Sequence, residues 1–235
     1  MSPFRFLSLQ EGATIDSGYL VTLNMQHLYE SRRNAALRRA IFHDRKARLC
    51  IDGRGAQIIF QRWLRKPLPL AAGNDVLRTR LDQSSTARVL VIGSDPDTLA
   101  IMQQRYPRIE FVHDGSLVPA FVGDLAEKHA AALVARYGLD FSFAAVALGV
   151  PKQEILAQAL AYRMTNMPIL CIGGSFEMIA GRHRRSPRLL QSLGLEGMWR
   201  LFIEPSRKRL WRLATSYWFF VRLLSNVSAI EALVR

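Results

Sequence analysis

Three features of the sequence predict an α/β fold, a Rossmann-like and largely parallel sheet with helices on both faces, together with a basic helical C-terminal appendage. Short apolar runs alternate with stretches of helical periodicity, turns rich in glycine and acid follow several of those runs, and positive charge gathers at the C-terminal end. A chain of 235 residues, 49% of them apolar and with a mean hydropathy of +0.05, can bury one sizeable core. The composition shifts near Gly181, so the expected organisation is a core over residues 1–181 and a basic, helical appendage over residues 182–235.

The run "GYLVTLNMQHLYE" opens as an apolar strand and passes into helical spacing that continues through "LYESRRNAALRRAIF". "ARLCIDGRGAQIIFQRWL" reads as a buried strand, a glycine-punctuated turn and a helix. "ARVLVIGSDPDTLAIMQQRYP" repeats the pattern, its helix stopping before Pro107 because the residue ahead of a proline disfavours the helical conformation. "RIEFVHDG" is a strand and turn, and "VGDLAEKHAAALVARYG" is a helix closed by Gly138. "LDFSFAAVALGVPKQE" is a strand that opens into a loop, and "MPILCIGGSFEMIAG" supplies a last strand and its glycine-rich turn. Continuous apolar runs are what strands covered on both faces require, and in such sheets ligands bind outside the carboxyl ends of the strands.

The net charge of +13 implies an anionic partner: nucleic acid, acidic lipid or a phosphorylated substrate. From Arg182 to the end eleven Arg and Lys stand against three Glu, which is +8 of that +13. Cys50 and Cys171 lie in apolar runs and read as small buried hydrophobes; they form neither a zinc spacing nor a disulfide framework, in keeping with a reducing compartment. The N-terminus lacks a cationic start followed by an apolar core, so export is not expected. The greasiest stretch, "LATSYWFFV", is bracketed by Arg212 and Arg222 and falls short of the roughly 20 apolar residues that a spanning helix needs.

Four strand-end turns are candidates for chemistry: Thr22/Asn24, Asp52-Gly53-Arg54-Gly55, the run Gly149 to Glu154, and Gly173-Gly174-Ser175. Asp52 directly follows a buried strand and precedes glycines that let backbone approach a ligand closely, although an acid there also suits a turn or helix cap. In "GVPKQE", Lys152 offers a point charge and Gln153 a donor and an acceptor, although the same residues suit an ordinary helix start with Glu154 at the positive end of the dipole. Asp95 and Asp97 read as helix-capping acids rather than as metal ligands. No GxGxxG, P-loop or GxSxG pattern is present, and the five histidines show no ligand spacing.

If Pro205 opens a helix to about Leu224, then Leu210, Ala214, Tyr217, Val221 and Leu224 form an apolar stripe with Arg212, Thr215 and Arg222 off it. Such a stripe suits the interface of an anionic membrane, or packing against the protein's own core. A nucleic-acid surface would use the arginines on phosphates and the aromatics for stacking, but no recognised binding motif accompanies them. The alternative to an enzyme is therefore a non-catalytic basic α/β module that binds nucleic acid or acidic membrane lipid.

The blocks "VTLN", "IDGRG", "GND", "LGVPKQE", "GGSFEMIAGRHRRSP" and "LGLEGMWRLFIEPSRKR" occur in an order and spacing that resembles the bacterial WecG/TagA/CpsF glycosyltransferases of the N-acetylmannosaminyltransferase type, from about Tyr19 to Arg212. The resemblance implies transfer of a hexose-type sugar (N-acetylmannosamine, its uronic acid or a glucose type) from a UDP-sugar to a polyprenyl-diphosphate-linked saccharide in surface polysaccharide biosynthesis. It also implies inversion at the anomeric carbon, no metal and no cofactor beyond the UDP-sugar donor. The expected location is cytoplasmic, peripheral on the inner face of the bacterial membrane, whose anionic surface is a partner, with no nucleic acid and with a homo-oligomer left open. Carried onto this chain, the general base is Asp52, while Thr22, Asn24, Gly149, Lys152 and Gln153 hold donor and acceptor. Arginines of the appendage meet the diphosphate, Arg200 and Arg207 first and Arg184 and Arg185 next. The chain departs from the family pattern at Gly197 in place of a tryptophan, Glu177 in place of an aspartate, Ser186 in "RSP" and Ile155-Leu156 after "QE"; these changes bear on the sugar more than on the reaction class.

Overall fold

The structure, a computed structural model, describes residues 5–116, 124–183, 186–187, 189–190, 194–203, 205–226 and 228–234. Six strands, β1 (Tyr19–Leu23), β2 (Ala47–Ile51), β3 (Ala87–Gly93), β4 (Ile109–Asp114), β5 (Phe143–Ala147) and β6 (Ile169–Cys171), form one sheet in the order β2-β1-β6-β5-β3-β4. Every pairing is parallel, so the expected α/β architecture holds and the sheet is parallel throughout.

Side-chain alternation divides the strands between two cores. Tyr19, Val21 and Leu23 of β1, Leu49 and Ile51 of β2, and Ile169 and Cys171 of β6 join one cluster, with helices α2 (Met25–Ser31), α4 (Arg54–Leu64), α7 (Leu125–Tyr137) and α8 (Lys152–Arg163) against it. Leu20, Cys50, Leu170 and Ile172 join the other, beneath α1 (Leu9–Ala13), α5 (Gly73–Gln83), α6 (Pro96–Arg105) and α9 (Ser175–Ile179). Both faces are therefore covered, which is why the strands read as unbroken apolar runs.

The helical pattern after β1 is broken into pieces. Asn34 accepts a hydrogen bond from the Leu37 N–H and starts a new turn, α3 (Ala35–Arg38), which runs into a π-helical turn at Arg39–His43. A competing Asn side chain is a frequent cause of such a restart.

Near the C-terminus, α10 (Glu196–Ile203), α11 (Arg207–Ser225) and α12 (Ser228–Val234) follow. The long α11 is capped by Ser206, whose hydroxyl accepts from the Arg209 N–H. Its buried face is not the stripe expected from helical spacing. Phe219 and Leu223 enter the core beside α2 and α4, joined by Ile230, Leu233 and Val234 of α12. Leu210, Ala214, Tyr217 and Val221 are exposed, and of that stripe Leu224 alone packs on the core. The amphipathic pattern thus resolves into two apolar faces, one inward and one outward.

Candidate active site

The sheet register brings the strand ends to one rim. Thr22 pairs with Cys50, Leu23 with Ile51 and Val21 with Cys171, while Val146 pairs with Cys171. The Asp52 N–H donates to the Leu23 carbonyl at 2.8 Å, extending the ladder one step past β2, so Asp52 emerges level with Asn24. Alternation turns Asp52 and Thr22 to the same side of the sheet as Cys50 and Leu20.

Helix α5 closes on this side. The Ala71 N–H donates to the Ile51 carbonyl at 2.8 Å and delivers the start of α5 to the end of β2. A Cβ on Gly73 would lie 3.1 Å from Thr22 Oγ1 and 3.4 Å from Ser175 Oγ, so glycine permits the approach. Thr22, itself buried, donates its hydroxyl to the Cys171 carbonyl at 3.1 Å. No side chain caps α5, whose first N–H groups and positive dipole end therefore lie at the rim. Gly53, at a φ of +94°, makes the turn from β2 into α4 in a conformation that favours glycine.

At the centre of the rim a buried polar network spans β1, β6 and α8. Asn24 caps α2 by accepting from the N–H groups of Gln26 and His27. The His27 ring lies with Nδ1 against Asn24 and Nε2 2.9 Å from Glu154 Oε1. Gln153 Nε2 donates to the same Glu154 oxygen at 2.6 Å, and Gln153 Oε1 accepts from the Gly173 N–H at 3.0 Å. Glu154 is fully buried, and its Oε2 has no hydrogen-bond partner among the described residues. Gly149 is exposed at the end of β5, the Val150-Pro151 peptide is cis, and Lys152 begins α8 half-buried.

The other end of the rim is tied differently. Ser94, at a φ of +66°, donates to Glu177 Oε1 at 2.8 Å. Asp95 caps α6 and holds Arg182; the Thr98 hydroxyl and N–H keep the Asp95 carboxyl below its usual range. Its capping role is the one expected of that acid. Burial pushes the Cys50 thiol up to about 12 and raises Cys171 as well, so neither is a thiolate nucleophile at neutral pH. Among the described residues no three His, Cys, Asp or Glu side chains converge as a metal site.

The C-terminal segment meets the Asp52 side of the rim. A Cβ on Gly194 would lie 3.3 Å from the Arg54 Cβ, and one on Gly55 would lie 3.7 Å from Phe220 Cδ2. Arg32 is stacked at 4.5 Å from the Phe219 ring centroid, and Tyr29 meets Trp211 and Phe219 edge-on. Of the arginines assigned to the diphosphate, Arg207 is exposed at the start of α11. Arg184 and Arg185 lie outside the described residues, as does the side chain of Arg200.

A model of the glycosyl transferase WecG/TagA/CpsF family matches residues 7–230. The chain belongs to that family. A WecG/TagA/CpsF chain is a glycosyltransferase, and the family indicates work in cell-surface polysaccharide biosynthesis. Among the described residues of this member no single helix is long and apolar enough to cross a membrane; Arg209–Ser225 and Ser228–Val234 reach that length and composition only as a pair bent by 116°.

Sequence reasoning placed Thr22, Asn24, Asp52, Gly149, Lys152 and Gln153 on one rim, and they are there. It missed His27 and Glu154 as partners and Gly73 as the close neighbour of Thr22. His27 and Glu154 are 127 positions apart, and nothing local links them.

Proposed function

We propose that the protein is an inverting, metal-independent glycosyltransferase that moves a hexose-type sugar from a UDP-sugar to a polyprenyl-diphosphate-linked saccharide. The acceptor hydroxyl forms its bond to the anomeric carbon as the bond to UDP breaks, and Asp52 takes the proton that the hydroxyl loses. UDP departs with added negative charge. Arginines 184, 185, 200 and 207 of the appendage, residues 182–235, meet that charge by bidentate hydrogen bonds in a site from which water is excluded. Thr22, Asn24, Gly149, Lys152 and Gln153 hold the reactants at the rim.

The observation that carries this reading is the rim of a family member: Asp52 and Thr22 share one side of the strand ends, α5 opens its N-terminus beside them, and Gly194 lies against Arg54 two residues on from Asp52. Helix N-termini at strand ends suit phosphorylated ligands.

The same reading puts the enzyme on the inner, anionic face of the bacterial membrane. Its support is the outward face of α10 and α11, where Phe202 is 82% exposed and Tyr217 66%, interleaved with Arg207 and Arg222. Basic helices with exposed aromatics partition into such interfaces.

Purified protein incubated with radiolabelled UDP-sugars and synthetic polyprenyl-diphosphate saccharides tests the reaction. One UDP-sugar is expected to label the lipid acceptor; failure of every UDP-sugar would remove the proposal, and tight nucleic-acid binding with a steep salt slope would favour the binding-module alternative.

A further inference from the structure

We propose that Glu154 is a positioning residue for transfer, acting through Gln153 on one side and His27 and Asn24 on the other. The proposal rests on the transferase reading above, and it concerns Glu154 and His27, to which that reading gives no part.

Glu154 sits in the first turn of α8, where an acid is ordinarily explained by the helix dipole and points to solvent. Here the side chain is fully buried. One oxygen, Oε1, takes both available partners, Gln153 Nε2 at 2.6 Å and His27 Nε2 at 2.9 Å. The other oxygen has none among the described residues. A buried carboxylate with half its acceptor capacity unused is costly, and apolar side chains of similar volume fill such places at less cost. The arrangement therefore asks for a role that packing does not supply.

The geometry supplies one. A carboxylate accepts and never donates, so its bond from Gln153 Nε2 fixes which end of that amide is which. Gln153 Oε1 is thereby turned to the Gly173 N–H, joining α8 to the turn after β6. On the other side, His27 Nε2 must carry the proton that it gives to Glu154. Nδ1 is then the acceptor and takes the Asn24 backbone N–H at 3.2 Å. One buried atom thus sets the Gln153 side-chain amide directly and the Asn24 main chain through His27, two rim residues that arrive from different strands, Asn24 after β1 and Gln153 after β5. Asn24 emerges level with Asp52 in the register, so a displaced Asn24 shifts whatever that rim holds relative to the base. Misplacing reactants by an ångström lowers the rate of a positioned reaction far more than it weakens binding.

Two variants test the idea in the full-length protein, with melting temperature, kcat and donor KM read for each. Glu154→Gln keeps the shape and replaces charge-assisted hydrogen bonds by neutral ones about half as strong. Its melting temperature should stay near the parent's while kcat falls by about five- to tenfold and donor KM moves less than twofold. The double variant His27→Leu with Glu154→Met removes both polar partners together, which avoids leaving either one buried and unpaired. It should be more stable than Glu154→Met alone and still transfer at least about a hundredfold more slowly than the parent. A merely structural pair predicts that kcat follows stability. Either variant, folded and with a kcat within twofold of the parent's, overturns the proposal. A parent that transfers from no UDP-sugar would remove the transferase reading instead, and this inference with it.

Discussion

At the rim of the sheet polar side chains are buried and paired, whereas on α11 aromatic side chains stand in solvent. Glu154 is wholly inside and accepts two hydrogen bonds, and Thr22 is inside and donates one. Leu210, Trp211, Tyr217 and Trp218 are all more than half exposed. Each region departs from the ordinary distribution of polar outside and apolar inside, in opposite directions. Folding alone rewards neither departure. Buried polar groups hold a geometry, and exposed apolar groups are open to a partner surface, which is in line with the reaction proposed at the rim and the membrane contact proposed on α11.

The contrast is sharpest within α11, because its two faces can be altered separately. Phe219→Ala should remove a ring packed between Tyr29 and Arg32 and lower stability by about 3 kcal/mol, the usual cost of such a cavity. Thermal unfolding would then show a drop of roughly 6–12 °C. Should the melting temperature stay put, the inward face is not part of the core.

A triple change on the outward face, Leu210→Ser with Tyr217→Ser and Val221→Ser, should leave unfolding unaltered and weaken binding to phosphatidylglycerol vesicles by about tenfold or more, given roughly 25 cal/mol per Å² of apolar area. Sedimentation with vesicles reads this, and unchanged binding would detach the exposed stripe from the membrane. At the rim, Gly73→Ala would crowd Thr22 Oγ1 and should raise donor KM by a few fold with little loss of stability. The smallest effect is expected from Asp95→Ala, about 1 kcal/mol for a lost helix cap, with kcat unchanged. Lost activity there would mean that the acid does more than cap.

Much of this was legible in the chain itself, where a local cause existed. Uninterrupted runs such as "RVLVIG" and "FAAVA" marked strands covered on both faces, and glycines after them marked the rim. The Asp95 cap follows from an acid three residues before Thr98, whose N–H it receives. What stayed hidden has no local cause. His27 and Glu154 meet because β1 and β5 are both neighbours of β6, a consequence of strand order that no spacing reveals. Gly73 reaches Thr22 because the segment after α4 pairs with the end of β2. Which face of α11 turns inward stayed open because its helix carries two apolar faces, and periodicity cannot say which of them the core will take.

The most direct test compares Asp52→Asn with the parent, measuring UDP affinity by calorimetry and transfer to the polyprenyl-diphosphate acceptor in a single turnover. Asp52→Asn should bind UDP as the parent does and transfer more slowly by about 10² to 10⁴, the range lost with a general base; transfer at the parent rate would mean that Asp52 is not the base.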